Sequence, residues 1–190
     1  RIINSISKVA KEEKVKIITG DTKVVDKNKG DKIFINTSGI GIIKPNRDWR
    51  KREINEGDLI LASGDLGEHG IYIMLERLNI KTAEDVKSDM AYLGSFILPL
   101  LDNFDGVKFI RDATRGGVAT ILNEVASKYN IEIEVYEEEL PYKDWVKNAS
   151  EILGIDPIYA ANEGKAVIII DKSQADEILD FLKKHPLSCN

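Results

Sequence analysis

Residues 106–126, GVKFIRDATRGGVATILNEVA, run from a buried strand into an apolar-periodic helix through two charges and a pair of glycines. Val118, Ile121, Leu122, Val125, Ala126 and Tyr129 recur at helical spacing and form one continuous stripe. The entry to that helix is the unusual part. Gly116 and Gly117 each lose more backbone freedom on folding than alanine would, so the pair is a poor helix start on grounds of stability alone. What it offers is close approach to the backbone, at a helix N-terminus whose unpaired N–H groups and partial positive charge suit phosphate. Asp112, at the strand's C-terminal end, either pairs with Arg111 or Arg115, or faces a magnesium ion lying between it and phosphate.

The rest of the chain alternates in the same way. Ile2, Ile3, Ile6, Val9 and Ala10 predict a helix over 1–13, followed by short strands at 15–19 and 32–43. Residues 45–56, PNRDWRKREINE, lack periodicity and read as a linker between 1–44 and 57–190. Beyond it come a strand at 58–63 and a helix marked by Ile71, Met74, Leu75 and Leu78. A second helix is expected to be capped by Ser88, with Met90, Leu93, Ile97, Leu100 and Leu101 facing inward. The segment 131–135, IEIEV, alternates like a half-buried strand; Trp145, Ala149, Ile152 and Leu153 mark a helix; 166–171, AVIIID, is a buried strand. Ser173, with Asp176 three residues on, predicts a capping box for a last helix through Leu182. The expected fold is an α/β or α+β domain over 57–186, preceded by the tail end of another. Because the first helical pattern is already under way at Arg1, the chain reads as a piece of a longer protein.

Composition narrows the chemistry. A formal net charge of −5 argues against nucleic acid as the main partner, since phosphate-backbone binding needs a basic face. No apolar run approaches a membrane span, and the single cysteine fits a reducing cytoplasm. With two histidines and one cysteine, a zinc site of soft ligands is not expected; a metal here would be held by Asp and Glu, which points to magnesium.

Three further polar clusters fall at element ends, where ligand sites are usually built. TGDTK, 19–23, is either a solvated turn or a place where Asp21 and Lys23 point into a site as phosphate or metal ligand and proton carrier. SGDLGEHG, 63–70, is most simply a tight turn and helix start, with His69 a structural hydrogen-bonder. YAANEGKAVIII, 159–170, puts Asn162 and Glu163 where a buried strand begins. A buried carboxylate is expected to have a raised pKa, which prepares a general acid or base, unless Lys165 neutralises it. Neither a P-loop nor a GxGxxG fingerprint occurs.

Taken together and in order, GDTKVV, INTSGIG, GDLILASGDLGEHG, SDMAYL, RDATRGGVATILNEVA and EILGIDPIYAANEGK closely resemble the HypE family, the carbamoyl dehydratases of nickel–iron hydrogenase maturation. That family lies in the PurM-like (AIR synthase-related) superfamily, with selenophosphate synthetase and thiamine-monophosphate kinase. The resemblance covers nearly the whole chain and is weakest at 45–56. It implies a PurM-like C-terminal α+β domain with a mixed sheet and helices at 57–190, and at 1–44 the last part of an N-terminal ATP-binding and dimerisation domain.

The resemblance also implies a reaction. HypE-like proteins are cytoplasmic homodimers that bind ATP and magnesium and accept a carbamoyl group from the carbamoyltransferase HypF on their own C-terminal cysteine. ATP phosphorylates the carboxamide oxygen, phosphate leaves, and loss of the N–H protons yields a thiocyanate whose cyanide passes to iron on the HypC–HypD scaffold. By position, Lys23 and Glu163 match the family's proton-removing pair, Asp112 its metal-binding Asp, and Asp21 a metal- and phosphate-contacting Asp of the kinase relatives. Thr114, Gly116, Gly117 and Asn162 are then expected against the ATP phosphates. The first metal-binding Asp residues, the dimer-forming strands and a tail ending in Pro-Arg-x-Cys are missing, so the chain by itself is expected to be inactive. Cys189, close behind Pro186 and without a flexible tether, is not expected to be the carrier thiol. The competing expectations are a non-catalytic docking module for the transferase or scaffold, and a superfamily relative that phosphorylates another acceptor.

Overall fold

The computed structural model describes residues 1–30, 32–44, 52–82 and 85–187. The chain divides into two compact units, Arg1–Asp48 and Trp49–Asn190. Of the expected linker, 45–51 lie outside the described residues, as does Cys189.

In the first unit, helix α1 spans Ile2–Glu12, and the Val15 N–H donates to the Ala10 carbonyl at 2.8 Å where the helix ends. The strands expected at 15–19 and 32–43 are not formed among the described residues: neither segment is laddered, and Ile18, Ile40 and Ile42 are exposed. Alternation gives a segment one apolar face, but a strand also needs a hydrogen-bonded neighbour, which sequence periodicity does not supply.

The second unit is α+β. Strands β1 (Leu59–Ala62), β2 (Val107–Asp112) and β3 (Ala166–Ile170) form one sheet in the order β1-β3-β2. Both pairings are antiparallel, so the described sheet is not the mixed one expected. Leu59 pairs with Ile170, and Asp112 with Ala166. Every residue of β3 is buried, which suits a central strand covered on both faces.

The two-residue period of β3 organises the core. Val167 and Ile169 pack with Leu66 and with Val118, Ile121, Leu122 and Val125 of helix α4 (Gly117–Tyr129). Ala166, Ile168 and Ile170 face the opposite way, toward Phe96 and Leu100 of α3 (Gly94–Asn103) and Ile178 and Leu182 of α6 (Ala175–Lys183). A third cluster joins α2 (Glu68–Leu78), through Ile71 and Leu75, to α5 (Asp144–Leu153), through Val146 and Ala149.

Four local expectations are corrected. Ser88 does not cap a helix: α3 begins six residues later, and the Ser88 hydroxyl instead meets His69 Nδ1 at 2.8 Å and accepts the Met90 N–H at 3.3 Å, leaving Met90 exposed. Residues 131–135 form no ladder, although Ile131 and Ile133 do pack on the α4 core while Glu132 and Glu134 are exposed. The capping box at Ser173 is replaced by Asp171, which accepts both the Ser173 hydroxyl (2.6 Å) and its N–H (2.9 Å) and turns the chain before α6 begins. Ile152 lies on the solvent side of α5. In the two serine cases a neighbour competed for the same hydroxyl, a contest invisible to spacing rules.

Candidate functional site

Three loops meet at the end of the sheet where β1 and β2 stop and β3 begins. The first, 63–67, leaves β1, and its Ser63 prolongs the pairing: its N–H donates to the Ala166 carbonyl (3.0 Å) and its hydroxyl accepts the Ala166 N–H (2.9 Å). The second, 113–116, leaves β2 and enters α4. The third, 159–165, enters β3.

The second loop explains the glycine pair. Gly116 and Gly117 both hold positive φ, +68° and +61°, and no side chain caps the helix. A Cβ on Gly117 would lie 2.7 Å from the Ala160 carbonyl oxygen and 2.8 Å from the Tyr159 carbonyl carbon, and it would also strike the Ile158 carbonyl. The open side of Gly117 is therefore filled by the protein's own 157–160 turn. Gly116 is exposed, but a Cβ there would strike the Thr120 hydroxyl and lie 2.9 Å from the Thr120 Cβ, so the space beside its α-carbon is taken by the first turn of α4. Asp112 is also exposed and accepts the Thr114 hydroxyl at 3.2 Å. Arg111 pairs with Glu124 on α4, and Asp112 makes no ion pair among the described residues. The carboxylate is thus left facing solvent at the mouth of an uncapped helix.

The third loop is held from two sides. Asn162, 1% exposed, accepts the Gly67 N–H on Oδ1 at 2.7 Å and donates from Nδ2 to the carbonyls of Ala160 (3.1 Å) and Ala113 (3.4 Å). Its main-chain N–H also donates to the Ala113 carbonyl, at 2.9 Å. On the other side, the Glu163 N–H donates to Asp89 Oδ1 at 3.0 Å, and Gly164 packs against the Asp89 carbonyl and Ala91 so tightly that a Cβ would lie 2.9 Å from the Ala91 nitrogen.

These contacts correct two expectations. Glu163 is exposed, so burial does not prepare it as a base. Asn162 is the buried residue of the pair, and its amide is spent on backbone groups rather than presented to a phosphate. Lys165 does neutralise a carboxylate, but that of Glu68, at 3.9 Å. Glu68 is the buried acid of the region, its side chain 7% exposed at the first turn of α2, and it takes a second cation from Lys143 at 2.8 Å. A buried charge needs such partners to offset its desolvation. Spacing gave no sign of this network: its members are 75 residues apart in the Lys143–Glu68 case. The one signal was an acidic residue at a helix start.

Asp21 and Lys23 belong to the first unit, both exposed, with Asp21 Oδ1 accepting the Thr22 N–H at 2.8 Å. No group of three or more His, Cys, Asp or Glu among the described residues is arranged to hold a metal by itself. Two cavities, of about 760 Å³ beside α5 and about 870 Å³ between β1 and residues 131–141, are lined by neither Asp112 nor Glu163. The three-loop surface is open, with charge at its mouth and hydrogen-bonded backbone beneath.

An antiparallel sheet backed by helices, with its charged loops gathered at one end, defines the class. The chain belongs to the AIR synthase-related proteins: residues 55–190 match the C-terminal domain of that family. Within it the similarity is to HypE. The chain is 41% identical over 187 residues to the carbamoyl dehydratase HypE of Cupriavidus necator, covering 98% of this chain and 53% of that protein. It superposes with a TM-score of 0.92 on a crystal structure of a HypE–HypF complex (40% identity, 98% of this chain, 61% of that one). Against the hydrogenase maturation protein HypE in complex with ATP the TM-score is 0.91 (40% identity, 98% and 56%). The chain spans about half the length of the curated relatives it matches. No helix among the described residues is long and apolar enough to cross a membrane.

Proposed function

We propose that the intact protein is an ATP-dependent carbamoyl dehydratase of nickel–iron hydrogenase maturation, converting a carbamoyl group on its own C-terminal cysteine to a thiocyanate. The observation that carries this is the joining of the Asp112–Gly117 loop to the Glu163 loop through the Ala113 carbonyl, in a chain 40% identical to a HypE solved with ATP. Together the two loops place an uncapped helix N-terminus and two exposed carboxylates on one surface.

In this reading 1–44 is the end of an ATP-binding and dimerisation domain and 57–190 the PurM-like C-terminal domain. Gly116, Thr114 and the start of α4 bind phosphate by backbone N–H and hydroxyl donation, and Asp21 is a further metal- or phosphate-contacting carboxylate. The Gly117 N–H takes part while its α-carbon is covered by the 157–160 turn. Asp112 fits magnesium as one hard oxygen ligand; no three-residue cluster surrounds it among the described residues, so the other ligands would come from phosphate, water or the rest of the intact protein. The metal, when bound, neutralises phosphate charge. Phosphorylation of the carboxamide oxygen turns it into a leaving group. Glu163 and Lys23 then take the two N–H protons as C–O cleavage and nitrile formation proceed. Since Glu163 is exposed, water is excluded by the bound substrate rather than by the loop.

The partner implied by the HypE–HypF complex is a HypF carbamoyltransferase; HypC–HypD is the proposed cyanide acceptor, with a homodimer and a cytoplasmic setting for the whole protein. The test is single-turnover dehydration in the full-length protein after carbamoylation by the transferase. Formation of cyanated cysteine that requires ATP and the Glu163 carboxylate supports the assignment. Carbamoylation without any ATP-dependent loss of water overturns it.

A further inference from the structure

Asn162 makes four hydrogen bonds from a position 1% exposed, and every partner lies on the rim of the candidate site. Its Oδ1 holds the first N–H of the 67–70 helix start, its Nδ2 spans the Ala113 and Ala160 carbonyls, and its own N–H doubles the bond to Ala113. The next residue in sequence is Glu163. The residue before Ala113 is Asp112, and Ala160 is the residue whose carbonyl crowds Gly117. One side chain therefore fixes the base-bearing loop against both the carboxylate and the helix mouth of the neighbouring loop.

Resting on the function proposed above, we infer that Asn162 is a positioning residue: it locks the 63–70, 111–117 and 159–165 loops together so that Glu163 stands at a fixed place relative to Asp112 and Gly116, and it does so without touching the ligand. Two physical points favour this over phosphate contact. Both amide atoms are committed to backbone groups, and turning the side chain outward would take from the Gly67 N–H and the Ala160 carbonyl the partner it gives them. The Asp112 loop is anchored by β2 and α4 and the Glu163 loop by β3 and Asp89, so Asn162 is the side chain that ties these separately anchored loops to one another. A loss of Asn162 should then be felt in the chemical step more than in nucleotide affinity.

The experiment uses full-length Asn162→Ala, with Asn162→Ser in reserve should alanine fail to fold, since a serine hydroxyl is too short to span to the Gly67 N–H. Amide exchange of the ligand-free protein, ATP affinity and single-turnover dehydration at saturating ATP are measured in parallel. The expected result is exchange at Gly67 faster by at least about tenfold, with the β3 amides still protected. Alongside it, the dehydration rate falls about 100-fold or more and ATP affinity stays within about threefold. Unchanged Gly67 protection overturns the clamp. A freed Gly67 with a wild-type rate, or equal losses in rate and ATP affinity, overturns the positioning role, the latter in favour of direct ligand contact. Uniform loss of protection across β3, with the folded fraction reacting at the wild-type rate, marks a purely structural residue and also overturns it. Glu163→Gln runs beside it: a wild-type rate there brings down the functional assignment of Glu163 itself, while Gly67 exchange still decides the clamp.

Discussion

Gly117 and Ala160 approach so closely that a Cβ on Gly117 would lie 2.7 Å from the Ala160 carbonyl oxygen, at a backbone φ of +61°. Gly154 has nearly the same φ, +65°, with nothing within 4 Å of its missing Cβ. The pair separates conformational strain from crowding. Alanine at 154 is expected to cost about 1–2 kcal/mol, the penalty of a left-handed residue. Alanine at 117 adds a backbone clash that only movement of the 157–160 turn relieves, raising the cost to about 3 kcal/mol or more. Urea denaturation of the two variants measures the difference; equal midpoints would show that the turn yields freely.

Glu163→Gln in the full-length protein should lower the dehydration rate by about 10²–10⁴-fold, the usual worth of a positioned base, while ATP binding stays largely intact. Lys23→Ala should act alike. If the two work as a unit, the double variant will be little slower than either single one. A rate in Glu163→Gln near that of the wild type would remove Glu163 from the mechanism.

Asp112→Asn should weaken ATP binding by about tenfold or more, about 1.4 kcal/mol, when magnesium is present, and much less when it is absent. The carboxylate makes no ion pair among the described residues, so its loss leaves no stranded cation to unfold the loop. Calorimetric titration with and without magnesium reads this directly. Equal affinities in both variants would make Asp112 merely the acceptor for Thr114.

Asp171 accepts the Ser173 hydroxyl and N–H and pairs with Lys108 at 3.2 Å, and these contacts hold its carboxyl down to about 2, against 3.8 ordinarily. Lys108 is pulled down by desolvation, but its hydrogen bonds and charge pairing with Asp58 and Asp171 outweigh this and raise its pKa. A carboxylate whose folded pKa is depressed stabilises the fold above its unfolded value, and that contribution disappears as pH falls through the folded value. The stabilisation should therefore be whole above 3.8 and gone by about 2. Asp171→Asn is expected to flatten the stability profile across that window, read as thermal midpoint against pH. An unaltered slope would mean the Ser173 and Lys108 contacts do not persist in solution.

What was legible in the residues was whatever depends on a local period. The stripe of α4, the uninterrupted apolar run of β3, and the ends of β1 and β2 all follow from side chains that had to be buried, and they appear within a residue or two of where periodicity puts them. The ordered motifs from GDTKVV to ANEGK likewise pointed to the family, because they are strings of adjacent residues. Partnership is different, since it joins residues distant in sequence. IEIEV alternates as a strand should, yet its isoleucines pack without a ladder. Ser88 and Ser173 have the composition of caps, but His69 and Asp171 reach their hydroxyls first. In YAANEGK, adjacency left open which polar residue is buried. The fold buries Asn162, whose amide can satisfy three backbone groups at once, and turns Glu163 outward, because an unpaired carboxylate in that place would have had no cation: Lys165 is already committed to Glu68. Sequence alone thus determined where the main helices and strands lie and which family the motifs match, since burial period and motif are properties of neighbours along the chain. Only the tertiary structure decided which of the motif residues are buried and hold the loops and which are exposed, since hydrogen-bond and charge partners are settled by where distant segments meet.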